Sequence, residues 1–192
     1  MIEARPADGP LRWTINARDV IVSTCPEWDA FARDNSAEEV TTARILGRSI
    51  WDFLSDPTTR QIYERIFAAV RMGRRFSIPF RCDSPTRKRN LLLKVGPAPE
   101  WSVAFSSSLV ASEERPAVAL PASTKEAAPG SNLLVSCGWC KRLLVGDRWL
   151  ELQPAILLLE IFHTTPPPLL THGICPDCTR SLERELQSAG ES

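Results

Sequence analysis

The sequence lacks a net charge: lysine plus arginine and aspartate plus glutamate both number 23. Such a chain has no overall field to draw it onto DNA, RNA or an anionic membrane, so nucleic acid is not the expected partner. It also lacks a long apolar run. The most apolar stretch, 155–162, is broken by Glu160 and bounded by Pro154 and by the prolines at 166–168, far short of the ~20 residues a membrane span needs. It reads as a buried helix, and no membrane association is expected. The opening MIEARPADGPLRW has no apolar core of the secretory type, which makes the cytoplasm the expected location. In that reducing compartment, six cysteines point to metal binding before disulfides. Phosphate-cradling patterns GxxxxGK[ST] and GxGxxG are missing, as is a histidine-kinase core, so no phosphoryl transfer is expected within this chain. Histidine is scarce, with only His163 and His172.

What is present suits two small modules. At 192 residues, 43% apolar and 24% charged, the chain has the composition of ordinary globular domains and room for two of them. The stretch 111–132, ASEERPAVALPASTKEAAPGSN, has neither helical nor strand periodicity and reads as a linker between 12–110 and 133–188. In the first module, 13–16 and 19–24 read as strands around an Ala17-Arg18 turn, and Pro26 opens a short helix carrying Trp28 and Phe31. Ile50, Phe53 and Leu54 share a face of a second short helix. A longer helix follows, capped by Ser55 or Asp56, with Pro57 just inside, an apolar stripe of Ile62, Ile66, Phe67 and Val70, and Gly73 at its end. Strands are expected over 76–82, 91–95 and 101–109, with Asp83-Ser84-Pro85 turning between the first two. The basic residues Arg71, Arg74, Arg75, Arg81, Arg87, Lys88 and Arg89 gather around this hairpin and read as a solvated face that offsets acids elsewhere.

The order of two strands, helices and three strands, together with the words LGRSIWDFL, TRQIYERIFAAVR and PFRCDSP, resembles bacterial PAS domains. The resemblance implies an α+β fold, a five-stranded antiparallel sheet with helices on one face, for sensing or for protein–protein interaction. Phe53, Tyr63, Phe67, Phe80 and Phe105 are the candidates for lining a ligand cavity, although filling the core is the commoner fate of such residues. PAS domains can hold flavin or haem. Ile50 stands where a flavin-adduct domain would place its cysteine, and the absence of histidine before His163 removes a histidine-ligated haem. Cys25 and Cys82 end predicted strands and read as small buried hydrophobes. Signals would pass to a partner protein, or to a second copy, through the sheet.

Cys137-Gly138-Trp139-Cys140 and Cys175-Pro176-Asp177-Cys178 carry the strongest chemical signal. Two residues between thiolates let the backbone turn both sulfurs towards one point, and two such turns supply the tetrahedral set that structural zinc takes. The 34 residues between Cys140 and Cys175 require an inserted element, expected as a helix at 156–162, to bring the pairs together. A strand or turn around Gly146-Asp147 and an amphipathic helix over 179–186 complete the segment. The words CGWCK, GDRW and HGICPDC resemble a Cys-rich tail found on some bacterial histidine kinases and PAS proteins, with one extra residue before the Trp of the second. His172 is a possible substitute ligand, His163 a helix-end residue, and Trp139 a shield over the metal. A zinc-ribbon-like module with four thiolate ligands leaves no position open for water or substrate, so it is expected to be structural and the protein not an enzyme. The reading is a non-enzymatic signalling regulator. Its rivals are a redox-responsive zinc-thiolate switch and a nucleic-acid-binding zinc ribbon.

Overall fold

The computed structural model describes residues 9–35, 37–54, 56–84, 86–116, 133–159 and 168–188. Ser55 as a cap, Pro85 in its turn, the linker over 117–132, the helix over 160–162, His163 and the loop over 164–167 lie outside the described residues.

β1 (Leu11–Ile15) and β2 (Ile21–Thr24) are joined by a turn in which Asp19 takes a φ of 60°. A short polar side chain tolerates this left-handed conformation by bonding locally. The Asp19 carboxylate accepts from Arg71 at 2.6 Å and from the Trp51 indole at 3.0 Å. β3 (Phe76–Arg81), β4 (Arg87–Ala98) and β5 (Ser102–Glu114) complete an antiparallel sheet of order β2-β1-β5-β4-β3. Its period-two pattern puts Phe76, Ile78, Leu93, Val95, Val103 and Phe105 on one buried face. Register aligns them in rows, with Trp13 opposite Phe105, Phe105 opposite Val95, and Val95 opposite Phe76.

The helices cover that face. α1 (Trp28–Asp34) and α2 (Thr42–Ile45) are short, with single 3-10 turns at Glu38–Val40 and Ile50–Phe53. α3 (Pro57–Arg71) buries Ile62, Ile66, Phe67 and Val70, the stripe expected from its 3.6-residue period. Its cap is Asp56, whose carboxylate accepts the Thr59 N–H at 2.7 Å. Asp56→Ala is expected to lower stability by about 1 kcal/mol in urea unfolding, with no change in the metal content of the chain.

The second segment comprises β6 (Leu133–Cys137), β7 (Leu143–Val145), β8 (Arg148–Leu150), α4 (Leu152–Leu159), β9 (Leu169–Gly173) and α5 (Pro176–Ser188). Its sheet runs β8-β7-β6-β9, with β6 and β9 parallel. Gly146, at a φ of 62°, turns the β7–β8 hairpin where the sequence places a turn. Leu134, Leu143, Leu152, Ala155 and Leu170 form a small core of its own.

Three boundaries differ from expectation. β5 runs on through Glu114, into the stretch read as linker, because Arg87–Asn90 of β4 extends alongside it, with Arg87 and Glu114 paired at 3.0 Å. α4 starts at Leu152, ahead of Pro154, since a proline in the first helical turn loses no hydrogen bond. α5 starts at Pro176 for the same reason.

The larger finding is that the second segment packs on the free edge of the first. Trp139, 6% exposed, stacks on Tyr63 of α3 with ring centroids 5.5 Å apart. The Trp139 carbonyl accepts the Arg81 N–H at 2.7 Å, extending β3 by one bond. Arg81 donates twice from Nη1 to Glu151, at 3.0 and 2.7 Å, and pairs with Asp83 at 2.5 Å. Arg74 donates to the Leu186 carbonyl at 2.5 Å. Leu182 and Leu186 of α5, with Cys137 and Cys175, join the same continuous core as Ile66 and Phe67. The basic cluster is not simply the solvated face expected of it: the second segment engages Arg74 and Arg81, and Arg71, Arg87 and Arg89 have partners within the first segment.

Candidate metal centre

β6 ends at Cys137, and the chain turns through Gly138 and Trp139 to Cys140. The turn is closed by Lys141 N–H to Cys137 O (3.0 Å) and by Cys137 N–H to Arg142 O (2.8 Å). Lys141 takes a φ of 62°, which reverses the chain into β7. Gly138 N–H donates to Gly173 O at 2.9 Å, tying this turn to the end of β9, the strand that leads to the second pair. Cys175 precedes α5 and Cys178 lies in its first turn, a combination that sets both sulfurs at a helix N-terminus where negative charge is favoured.

The four sulfurs lie within 4.8 Å of one another, and those of Cys140 and Cys175 are 3.7 Å apart. These are free thiols, not disulfides. A tetrahedral thiolate site with metal–sulfur bonds of about 2.3 Å has edges of about 3.8 Å, so the cluster requires little adjustment to hold a metal ion. Cys137 and Cys175 are fully buried, Cys140 and Cys178 half-buried. Backbone N–H groups support the sulfurs: Cys175 N–H points at Cys137 Sγ and Cys178 N–H at Cys175 Sγ, each at 3.4 Å.

Arg142 completes the site. Its Nε lies 3.2 Å from Cys140 Sγ, and its Nη2 lies 3.3 Å from Cys175 Sγ and 2.8 Å from Asp177. Hydrogen bonds from the Cys137 and Cys178 thiols, and then from Arg142, hold the Cys140 thiol far below its ordinary pKa. Burial raises the Cys175 thiol, and donation to Cys137 and Cys140 raises that of Cys178. Crowded sulfurs cannot all ionise beside one another. A divalent cation at their centre would remove that conflict and release the remaining protons.

Other residues singled out in the sequence fall around a cleft of about 620 Å³ between the two segments. Phe53, Tyr63 and Phe80 line it together with Trp139, while Phe67 and Phe105 are buried in the core, in edge-to-face contact at 5.6 Å. Two of the five pocket candidates therefore fill the core. His172 is exposed on β9 at the rim of the cleft, outside the group of four sulfurs. Trp139 packs on the first segment through Tyr63. Cys25 is buried, its sulfur accepting the Arg12 N–H at 3.3 Å, and Cys82 is half-buried in the cleft wall.

The sequence does not single out Arg142 or Glu151, and it places Arg81 in a solvated basic face, whereas Arg81 is buried. A cation two residues beyond a Cys-x-x-Cys pair was a usable signal for Arg142. Arg81 pairs locally with Asp83, but its tie to Glu151 has no local pattern, because Glu151 is 70 residues away. No protein-family model and no curated protein matches the chain. Among the described residues no helix is long and apolar enough to cross a membrane.

Proposed function

We propose that this protein is a non-enzymatic signalling regulator, in which a PAS-like domain for sensing or protein–protein interaction is coupled to a structural zinc module. The observation that carries this reading is the cluster of four thiols built directly against the sheet domain, with Trp139, from within the first cysteine pair, stacked on Tyr63. Zinc is the ion favoured by four sulfur donors at tetrahedral spacing in a reducing compartment. Four thiolates leave no coordination position for water or substrate, which favours a structural role over hydrolysis. The five-stranded antiparallel order with helices on one face supports the PAS-like reading. The expected cellular site is the cytoplasm. The expected partner is a signalling protein or a second copy of the chain, and the internal engagement of the basic cluster argues against nucleic acid.

The Arg142 guanidinium beside Cys140 and Cys175 favours a second reading, a redox-responsive switch in which oxidation expels the metal. Thiol titration separates the two. With zinc bound, a structural site is expected to leave Cys137, Cys140, Cys175 and Cys178 unreactive towards mild oxidant over hours, and to expose all four after chelation. Rapid zinc release with disulfide formation would instead establish the switch.

A further inference from the structure

The cleft between the two segments has the chemistry of a binding site. Its lining is aromatic, with Phe53, Tyr63 and Phe80 from the first segment and, stacked on Tyr63, Trp139 from the second. At about 620 Å³ it is within the range of small-molecule sites. It lies beside the core of the sheet domain, which Phe67 and Phe105 fill, and neither segment forms it alone. Flat aromatic surfaces of this kind favour a planar ring, by stacking or edge contact.

Its charges are unevenly committed. Arg81 is matched by Asp83 and Glu151, and Asp56 is occupied at the N-terminus of α3. Lys141 is different. Its ammonium donates to the Gly138 carbonyl at 3.0 Å and has no carboxylate partner among the described residues. His172 stands nearby, on the strand that runs beside Cys137 and Gly138. Partial desolvation, and then the Lys141 charge, hold its imidazole below the ordinary pKa, which favours its uncharged, hydrogen-bonding form. The phenol of Tyr63 has no hydrogen-bond partner among the described residues. One uncompensated cation, two neutral polar groups and a set of aromatic walls specify the occupant.

We propose that this cleft binds a small planar aromatic monoanion, with its ring against Trp139 and Phe80 and its acid group on Lys141. The proposal deepens the reading of a sensor coupled to a zinc module by naming the class of ligand, and it rests on that reading. Occupancy would bridge the two segments, and so link ligand to the angle or tightness of their packing.

The test uses the full chain and anilinonaphthalene sulfonate, a fluorescent aromatic anion, with zinc measured on the same sample. Binding is expected to saturate at about one probe per chain, with energy transfer from tryptophan and displacement by naphthoate. Lys141→Gln, which removes the charge but keeps an N–H donor on a side chain one atom shorter, is expected to weaken binding about tenfold. His172→Ala, at an exposed position, is expected to weaken it about threefold without altering the fold. Zinc-loaded protein with no saturable binding, or with affinity unchanged in both variants, would overturn the inference and leave the zinc reading standing. Saturable, variant-sensitive binding by protein that holds no zinc would sustain the cleft and overturn the zinc reading.

Discussion

Cys137→Ser is expected to reduce bound zinc from about one per chain to near zero and to abolish hydrogen-exchange protection in β6, β9 and α5. Apparent zinc binding contributes on the order of 10–16 kcal/mol to small structural sites, comparable to or larger than the entire stability of an ordinary domain, about 5–15 kcal/mol. Among the described residues, the second segment's own core holds Leu134, Leu143, Leu152, Ala155 and Leu170 as buried residues, too few to replace that term. The effect should reach the first segment as well. Trp139, Leu182 and Leu186 share a core with α3, so amides near Tyr63 and along β3 should lose protection in the same variant. The sheet, which keeps its inner rows of Phe76, Val95 and Phe105, should remain folded. Hydrogen exchange read by mass spectrometry distinguishes these regions. Full retention of protection in β6 and α5 without metal would contradict the account.

The second large effect is expected at Arg81. Its side chain is 9% exposed and that of Asp83 is 5% exposed, while that of Glu151 is 50% exposed. Arg81→Ala leaves the buried Asp83 carboxylate with Arg115, 3.1 Å away, as its remaining cation among the described ion pairs and with the Arg89 N–H at 3.3 Å, and removes the only link to Glu151 among the described ion pairs. Removal of one partner from a buried pair costs about 3–5 kcal/mol when the other charge is left uncompensated, and the retained Arg115 places the expected loss at the lower end, about 3 kcal/mol. The other side of the bridge behaves differently. Glu151→Ala removes a half-exposed group and should cost no more than about 1 kcal/mol. Urea unfolding of the two variants, followed by circular dichroism, should show this asymmetry. Equal losses would mean that the Arg81–Glu151 bridge, and not the burial of Asp83, dominates.

The features legible in the sequence are those set by local chemistry. The stripe of Ile62, Ile66, Phe67 and Val70, the proline inside the start of α3 and the glycine beyond its end identify that helix without tertiary information. The two Cys-x-x-Cys pairs identify the sulfur cluster because each needs only a tight turn. The strands 76–82 and 91–95 alternate plainly, since one face is buried. What escaped was set by distance. Arg87–Asn90 and Ala111–Glu114 have no apolar alternation, and pair because each extends the other's strand. The docking of the second segment depends on single contacts between residues far apart in the chain: Tyr63 with Trp139, Arg74 with Leu186, Arg81 with Glu151. None of these has a local pattern. The pocket candidates divided on the same ground: Phe67 and Phe105 meet each other in the core, whereas Phe53, Tyr63 and Phe80 reach a cleft that exists only because the second segment forms its other side.

Elemental analysis of protein purified under reducing conditions, paired with an absorption spectrum of the same sample, tests the central claim most directly. The account predicts about one zinc per chain and no visible chromophore. Absence of metal, or the spectrum of an iron–sulfur centre, haem or flavin, would contradict it.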